Sequence, residues 1–232
     1  MSAVLDTLRR FYVSSIGKKI LVALTGLGLA GFLLGHLLGN LLIYVGPDAI
    51  NAYAVKLKDL GPLLWVARIG LLAMVGIHIV ATIQLTKANR AARLDAYGKE
   101  ATQVASKSSR IMIWSGLTIL AFVIYHLMHF TLHAGNDYSS YMTMLGDREV
   151  HDVYKMVIDG FSWAPASLFY IIAMVLLCSH LSHGVASIFQ TLGLATQQTW
   201  PIFQKLGQAY AVLILVGNCS IPIAILFFGY GR

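Results

Sequence analysis

A 232-residue chain that is 57% hydrophobic and only 12% charged, with a mean hydropathy of +0.71, has the wrong balance for a soluble enzyme or a disordered chain; it reads as an integral membrane protein. Its formal charge of +7 does not point to nucleic acid, because lysine and arginine gather at the ends of apolar runs rather than along one face. Cys178 and Cys219 both lie inside apolar runs, which excludes a secreted disulfide framework.

In chain order, residues 1–19 stay polar as far as Lys19 and precede a run too long for a signal-peptide core, so this stretch is expected to be retained. Five runs, near residues 20–44, 62–86, 111–133, 163–189 and 206–230, are long enough to cross a hydrocarbon core, which takes about 20 apolar residues in a helix. Lipid cannot satisfy an open backbone and nothing alternates like a barrel strand, so an all-α bundle of five transmembrane helices is predicted, one membrane domain over 1–232. Between Pro47 and Pro62, Ile50, Tyr53, Ala54, Leu57 and Leu60 recur at helical spacing, the pattern of a short surface helix; a plain connecting loop is the alternative.

Orientation follows from the basic residues beside the membrane. Arg9, Arg10, Lys18 and Lys19 precede the first span, and Lys87, Arg90, Arg93, Lys99, Lys107 and Arg110 fill the second connection. The first connection offsets Lys56 and Lys58 with Asp48 and Asp59, and the third is acidic, with Asp137, Asp147, Glu149, Asp152 and Asp159 against Arg148 and Lys155. The N-terminus is therefore expected in the cytoplasm and the C-terminus outside.

Four spans each carry a histidine deep in apolar surroundings: His36, His78, His126 and His180. An imidazole at such depth needs a partner, and haem iron suits facing pairs of neutral imidazoles. His36 lies 17 residues after Lys19 and His126 lies 16 after Arg110, about 25 Å beyond the cytoplasmic edge for both. His78 is 9 residues before Lys87 and His180 is 10 before Gln190, about 14 Å from the same edge. Two stacked haem sites are expected, an outer one from His36 and His126 and an inner one from His78 and His180.

An ungapped internal echo supports the outer pair: Thr25, Gly26, Leu27, Phe32, His36 and Leu37 align with Ser115, Gly116, Leu117, Phe122, His126 and Leu127. Each glycine leaves room for a flat group to approach the backbone. In the third span His126, His129 and His133 fall at i, i+3 and i+7, one helix face; the echo and the depth select His126, leaving His129 a packed or hydrogen-bonded neighbour. In the fourth span the depth count selects His180. A local likeness between His78-Ile-Val-Ala-Thr-Ile and His183-Gly-Val-Ala-Ser-Ile selects His183 instead.

Gly-His-Leu-Leu-Gly-Asn at 35–40, Asn-Ala-Tyr-Ala at 51–54, Asn-Arg-Ala-Ala-Arg at 89–93, His-Leu-Met-His at 126–129, and His-Leu-Ser-His-Gly with Ser-Ile-Phe-Gln-Thr-Leu-Gly through 180–193 together resemble the cytochrome b membrane-anchor subunit of bacterial succinate dehydrogenase and fumarate reductase. The likeness covers nearly the whole chain and extends to Ser-Ser-Ile-Gly-Lys-Lys at 14–19 followed by Thr-Gly at 25–26. It implies five helices carrying two b haems, with His36, His78, His126 and His180 as axial ligands. Related anchors place their fourth ligand before an asparagine and a glycine, the positions of His183 and Gly184 here, which favours His180. Having histidine in place of that asparagine keeps His183 as the alternative.

The resemblance further implies a bacterial cytoplasmic membrane, a flavoprotein and an iron-sulfur protein docked on the cytoplasmic face, and electron transfer to a membrane quinone such as menaquinone. The sequence holds no Rossmann glycine pattern and no cysteine cluster for an iron-sulfur centre, so dicarboxylate chemistry is expected of the partners. Ser15, Lys18 and Lys19 are candidates for a quinone carbonyl, the alternative being that the lysines only fix orientation. Arg68 is a candidate counterion for an outer-haem propionate, or else snorkels to the interface. His133, Trp163 and the acidic connection are candidates for an outer quinone site. Rival readings are a dihaem anchor of another quinone-linked dehydrogenase or hydrogenase and a proton-coupled transporter that uses the histidines as a relay.

Overall fold

Backbone groups in lipid must pair within their own segment. The structure, a computed structural model that describes residues 2–91 and 112–232, accordingly holds five helices long and apolar enough to cross a membrane. The chain is an all-α polytopic membrane bundle. The described residues form α1 (Ser2–Val13), α2 (Ser15–Asn40, extended by a 3₁₀ turn Leu41–Tyr44), α3 (Pro47–Asp59), α4 (Pro62–Ala91), α5 (Met112–Phe130), the strands β1 (Met142–Leu145) and β2 (Arg148–His151), α6 (Val153–Ser162), α7 (Ala164–Thr191) and α8 (Trp200–Phe228). Arg93, Lys99, Lys107 and Arg110, on which the orientation partly rests, lie outside the described residues, as do the last two residues of the Asn-Arg-Ala-Ala-Arg run.

Several boundaries differ from expectation. The first span begins at Ser15 rather than near 20, and before it residues 2–13 form a separate helix, α1, with Val4, Leu5, Leu8, Phe11 and Tyr12 on one exposed side and Asp6 paired with Arg10 on the other. Ser14 ends it and caps α2: its Oγ accepts from the Gly17 N–H at 2.9 Å and donates to the Phe11 carbonyl at 2.7 Å. Only glycine fits at 17, where a Cβ would sit 1.9 Å from the Phe11 oxygen. At the other end of the chain α8 begins at Trp200 rather than near 206. Pro201 lies in the first turn and Gln204 and Lys205 continue the helix, so the drop in apolarity there is a polar second turn and not a loop.

The surface helix between Pro47 and Pro62 is present as α3, and the acidic third connection is ordered. Gly146, at φ +60°, turns β1 into β2 with Leu145 opposite Arg148 and Met142 opposite His151. Next, α6 buries Met156, Val157, Ile158 and Phe161 against the ends of α7 and α8. Buried Asn51 joins α3 to α6: its Oδ1 accepts from the Val153 and Tyr154 N–H groups at 2.8 and 3.1 Å, and its Nδ2 donates to Asp152 at 3.3 Å. On the surface Arg148 grips Asp59 through both carboxylate oxygens, at 3.0 and 3.1 Å. Those hydrogen bonds, helped by the Arg148 charge and opposed by desolvation, hold the Asp59 carboxyl below its ordinary range.

The packing runs from helix to helix: α4 packs on α2, α2 on α7 and α7 on α5, and among the described residues α5 packs closely on neither α2 nor α4, nor does α4 pack closely on α7. α8 lies outside, along α7, with Gly207 so close to the α7 backbone that a Cβ would come within 2.8 Å of the Ser182 oxygen, and Tyr210 reaches across to donate to the Ala30 carbonyl at 2.6 Å.

Candidate paired-histidine site

Of the histidines expected to act together, the structure brings the outer pair into contact. His36 on α2 and His126 on α5 meet with ring centres 5.7 Å apart and planes at 86°, although their helices stay apart. Two imidazoles opposed on one iron at about 2 Å per bond would place their ring centres about 6 Å apart, so the spacing fits. Phe32 and Phe122, each one turn before its histidine, stack on His36 (5.4 Å, 23°) and His126 (5.9 Å, 30°), so the internal echo is an echo in space.

The same two helices hold the second set. Thr25 Oγ1 lies 3.1 Å from His78 Nδ1, and Ser115 Oγ lies 3.2 Å from His180 Nδ1. Each hydroxyl has one hydrogen, and each gives it to a carbonyl of its own helix, Leu21 at 2.6 Å and Met112 at 3.1 Å. Each hydroxyl is then left to accept from the imidazole, and a proton on Nδ1 of His78 and His180 would leave the Nε2 lone pair available, the arrangement a metal-ligating histidine needs. Gly26 and Gly116 adjoin these inner imidazoles: a Cβ would meet Cε1 of His78 at 3.4 Å and Cε1 of His180 at 3.7 Å.

His183 is turned differently. Its Nε2 lies 3.2 Å from Ser187 Oγ on its own helix, so the structure brings His180, not His183, to the α5 hydroxyl. His129 shares a partner with His126: the hydroxyl of buried Tyr170 lies 3.2 Å from His126 Nδ1 and 3.3 Å from His129 Nδ1. With one hydrogen to give, Tyr170 can accept from one imidazole and donate to the other. Nothing in the chain pattern singled out Tyr170, whereas the two hydroxyls were visible as the first position of the echo.

His133 does not continue the His126 and His129 face. α5 ends at Phe130 and His133 adopts a left-handed conformation, φ +52°, with the Ala134 N–H returning to the Met128 carbonyl. Its ring instead lies 5.6 Å from that of His151, beside a groove of about 420 Å³ that Lys58, Met142 and Arg148 also line and Trp163 does not. Burial first, and the nearby Lys58 charge second, hold His151 below its ordinary pKa, so it is neutral at pH 7 and donates Nδ1–H to the Tyr141 carbonyl at 3.0 Å. Ser15 is exposed at the start of α2, where Ser14 supplies the capping oxygen; Lys18 donates to the Val13 carbonyl at 3.2 Å and Lys19 is exposed. Arg68 holds its guanidinium 5.1 Å over the Trp65 ring.

Among the described residues no three of His, Cys, Asp and Glu gather into a group that would hold a metal ion by themselves. Two imidazoles per site suit an iron whose other ligands come from a macrocycle. The chain matches no protein-family model, no curated protein and no solved structure.

Proposed function

We propose that this chain is the dihaem cytochrome b subunit of a succinate:quinone oxidoreductase in a bacterial cytoplasmic membrane. In this reading it anchors a flavoprotein and an iron-sulfur protein on the cytoplasmic face, where α1 lies, and passes electrons to or from a quinone such as menaquinone. The observation that carries the haem reading is the mirrored surroundings of the four imidazoles: the His36 and His126 rings meet, and the Thr25 and Ser115 hydroxyls stand at Nδ1 of His78 and His180. The choice of enzyme rests on the sequence resemblance.

His36 and His126 would hold the outer haem, and His78 and His180 the inner one. When bound between two imidazoles, haem iron supplies one-electron transfer and offers no open position for oxygen chemistry. The chain's own part is orientation. Thr25 and Ser115 would keep the inner rings from turning, and Tyr170, accepting from His126 and donating to His129, would do the same for His126.

Ser115→Ala and Thr25→Val are expected to lower retention of the inner haem by about 10–100-fold in affinity, read as haem lost on detergent dilution, with the outer haem unaffected. For the enzyme assignment, purification of the chain from its native membrane should bring down covalent or tight flavin and iron-sulfur centres with succinate dehydrogenase activity. Nickel or molybdenum in the same fraction would mean a hydrogenase or a formate dehydrogenase instead.

A further inference from the structure

At the end of the bundle where α3 meets α4, a groove of about 620 Å³ is lined by Lys58, Gly61, Pro62, Leu64, Trp65 and Arg68. We propose that Lys58, Trp65 and Arg68 form a binding site for the phosphodiester headgroup of an anionic phospholipid. The site is independent of the haem reading.

Three observations point to lipid. First, the Arg68 guanidinium has swung over Trp65, which lies 13 residues from His78 and hence roughly 140° around α4 from the side that faces the bundle. Trp65, Ile69 and Leu72 make up that outer side, each about six-tenths exposed, and this is the face that lipid chains cover. Second, the positive charge is uncompensated. Neither Lys58 nor Arg68 pairs with a carboxylate among the described residues, and the nearest one in sequence, Asp59, is held by both arms of Arg148. Third, the depth is right. Arg68 is six residues into α4, about 9 Å along the axis from Pro62, so on a helix that enters the hydrocarbon near Pro62 its side chain can reach back to the level of lipid phosphates.

An arginine there needs a counterion, and the lipid side of the helix offers one only as phosphate. Two cations favour a lipid with net negative charge over phosphatidylcholine, whose own ammonium neutralises its phosphate. The indole gives the acyl-glycerol region a flat surface at the interface.

The full chain in neutral detergent, titrated separately with phosphatidylglycerol and phosphatidylcholine and followed by native mass spectrometry, tests this. One phosphatidylglycerol should stay bound where phosphatidylcholine does not. Lys58→Gln and Arg68→Gln should each weaken it about fivefold and together roughly 30-fold, while Arg68→Lys keeps most of the affinity. Millimolar inorganic phosphate should not displace the lipid. Equal binding of the two lipids, an unchanged affinity in the double variant, or displacement by phosphate would overturn the proposal. So would an Arg68→Gln chain that keeps the lipid but loses haem absorbance, since Arg68 would then be serving a propionate.

Discussion

His126→Ala is expected to halve the haem bound by the purified chain, and His36→Ala is expected to do the same. His126 is the more heavily supported of the two, with His36 opposite, Phe122 stacked against it and Tyr170 at its Nδ1, so on the proposed reading its removal takes away both an axial nitrogen and a ring packed between α5 and α7. His78→Ala and His180→Ala should remove the other half. The two groups of variants should therefore leave different residual spectra, and a double variant drawn from both groups should be colourless. A pyridine haemochrome assay per mole of chain reads the result. His183→Ala should retain both haems, because its Nε2 is engaged with Ser187 on the same helix. Loss of one haem in His183→Ala together with full retention in His180→Ala would reverse the inner assignment.

The second large effect is structural. Asn51→Leu keeps the volume but strips the acceptor from two half-buried N–H groups at the start of α6 and the donor to Asp152. A fully buried orphaned group costs about 1–3 kcal/mol, and with water able to reach these in part a loss of roughly 1–3 kcal/mol in all is expected. The damage should be local: faster amide exchange in α6 and the β1–β2 hairpin, with the spans protected as before. Asn51→Asp should fall between, since it retains the acceptor but sets a second carboxylate against Asp152. Hydrogen exchange followed by mass spectrometry distinguishes these outcomes. Exchange in α6 unchanged by Asn51→Leu would show that the apolar contacts of Met156, Val157 and Phe161 alone hold the cap.

What could be read from the chain divides along physical lines. A span announces itself by uninterrupted apolarity, and α3 by the spacing of Ile50, Tyr53, Ala54 and Leu57, because both signals are local. The same logic misplaced the end of α5: Leu132 is as apolar as the residues before it, yet the backbone turns left-handed at His133, and no local pattern marks that turn in the absence of glycine. The β1–β2 hairpin was missed because strands of four residues barely show alternation, although Gly146-Asp147 carried the turn signal. α1 was missed because Arg9 and Arg10 dilute a stripe that Val4, Leu5, Leu8 and Phe11 nonetheless draw.

At the site, the histidines and the hydroxyl-glycine echo lay in the sequence, but their use did not. Gly26 and Gly116 lie against the inner imidazoles, and the preceding Thr25 and Ser115 place a hydroxyl at Nδ1 of each ring, neither of which spacing alone predicts. Which residue on α7 stands opposite His126 depends on helix rotation, which periodicity does not determine. Tyr170 was therefore beyond reach until the helices were packed.

The haem content of the intact protein bears most directly on the claim that iron holds these imidazoles at two levels. Purified from its native membrane with its partner subunits attached, the chain should show two b-type haems per polypeptide in a reduced-minus-oxidised spectrum and haemochrome assay. A folded preparation with those partners bound and no haem would contradict it.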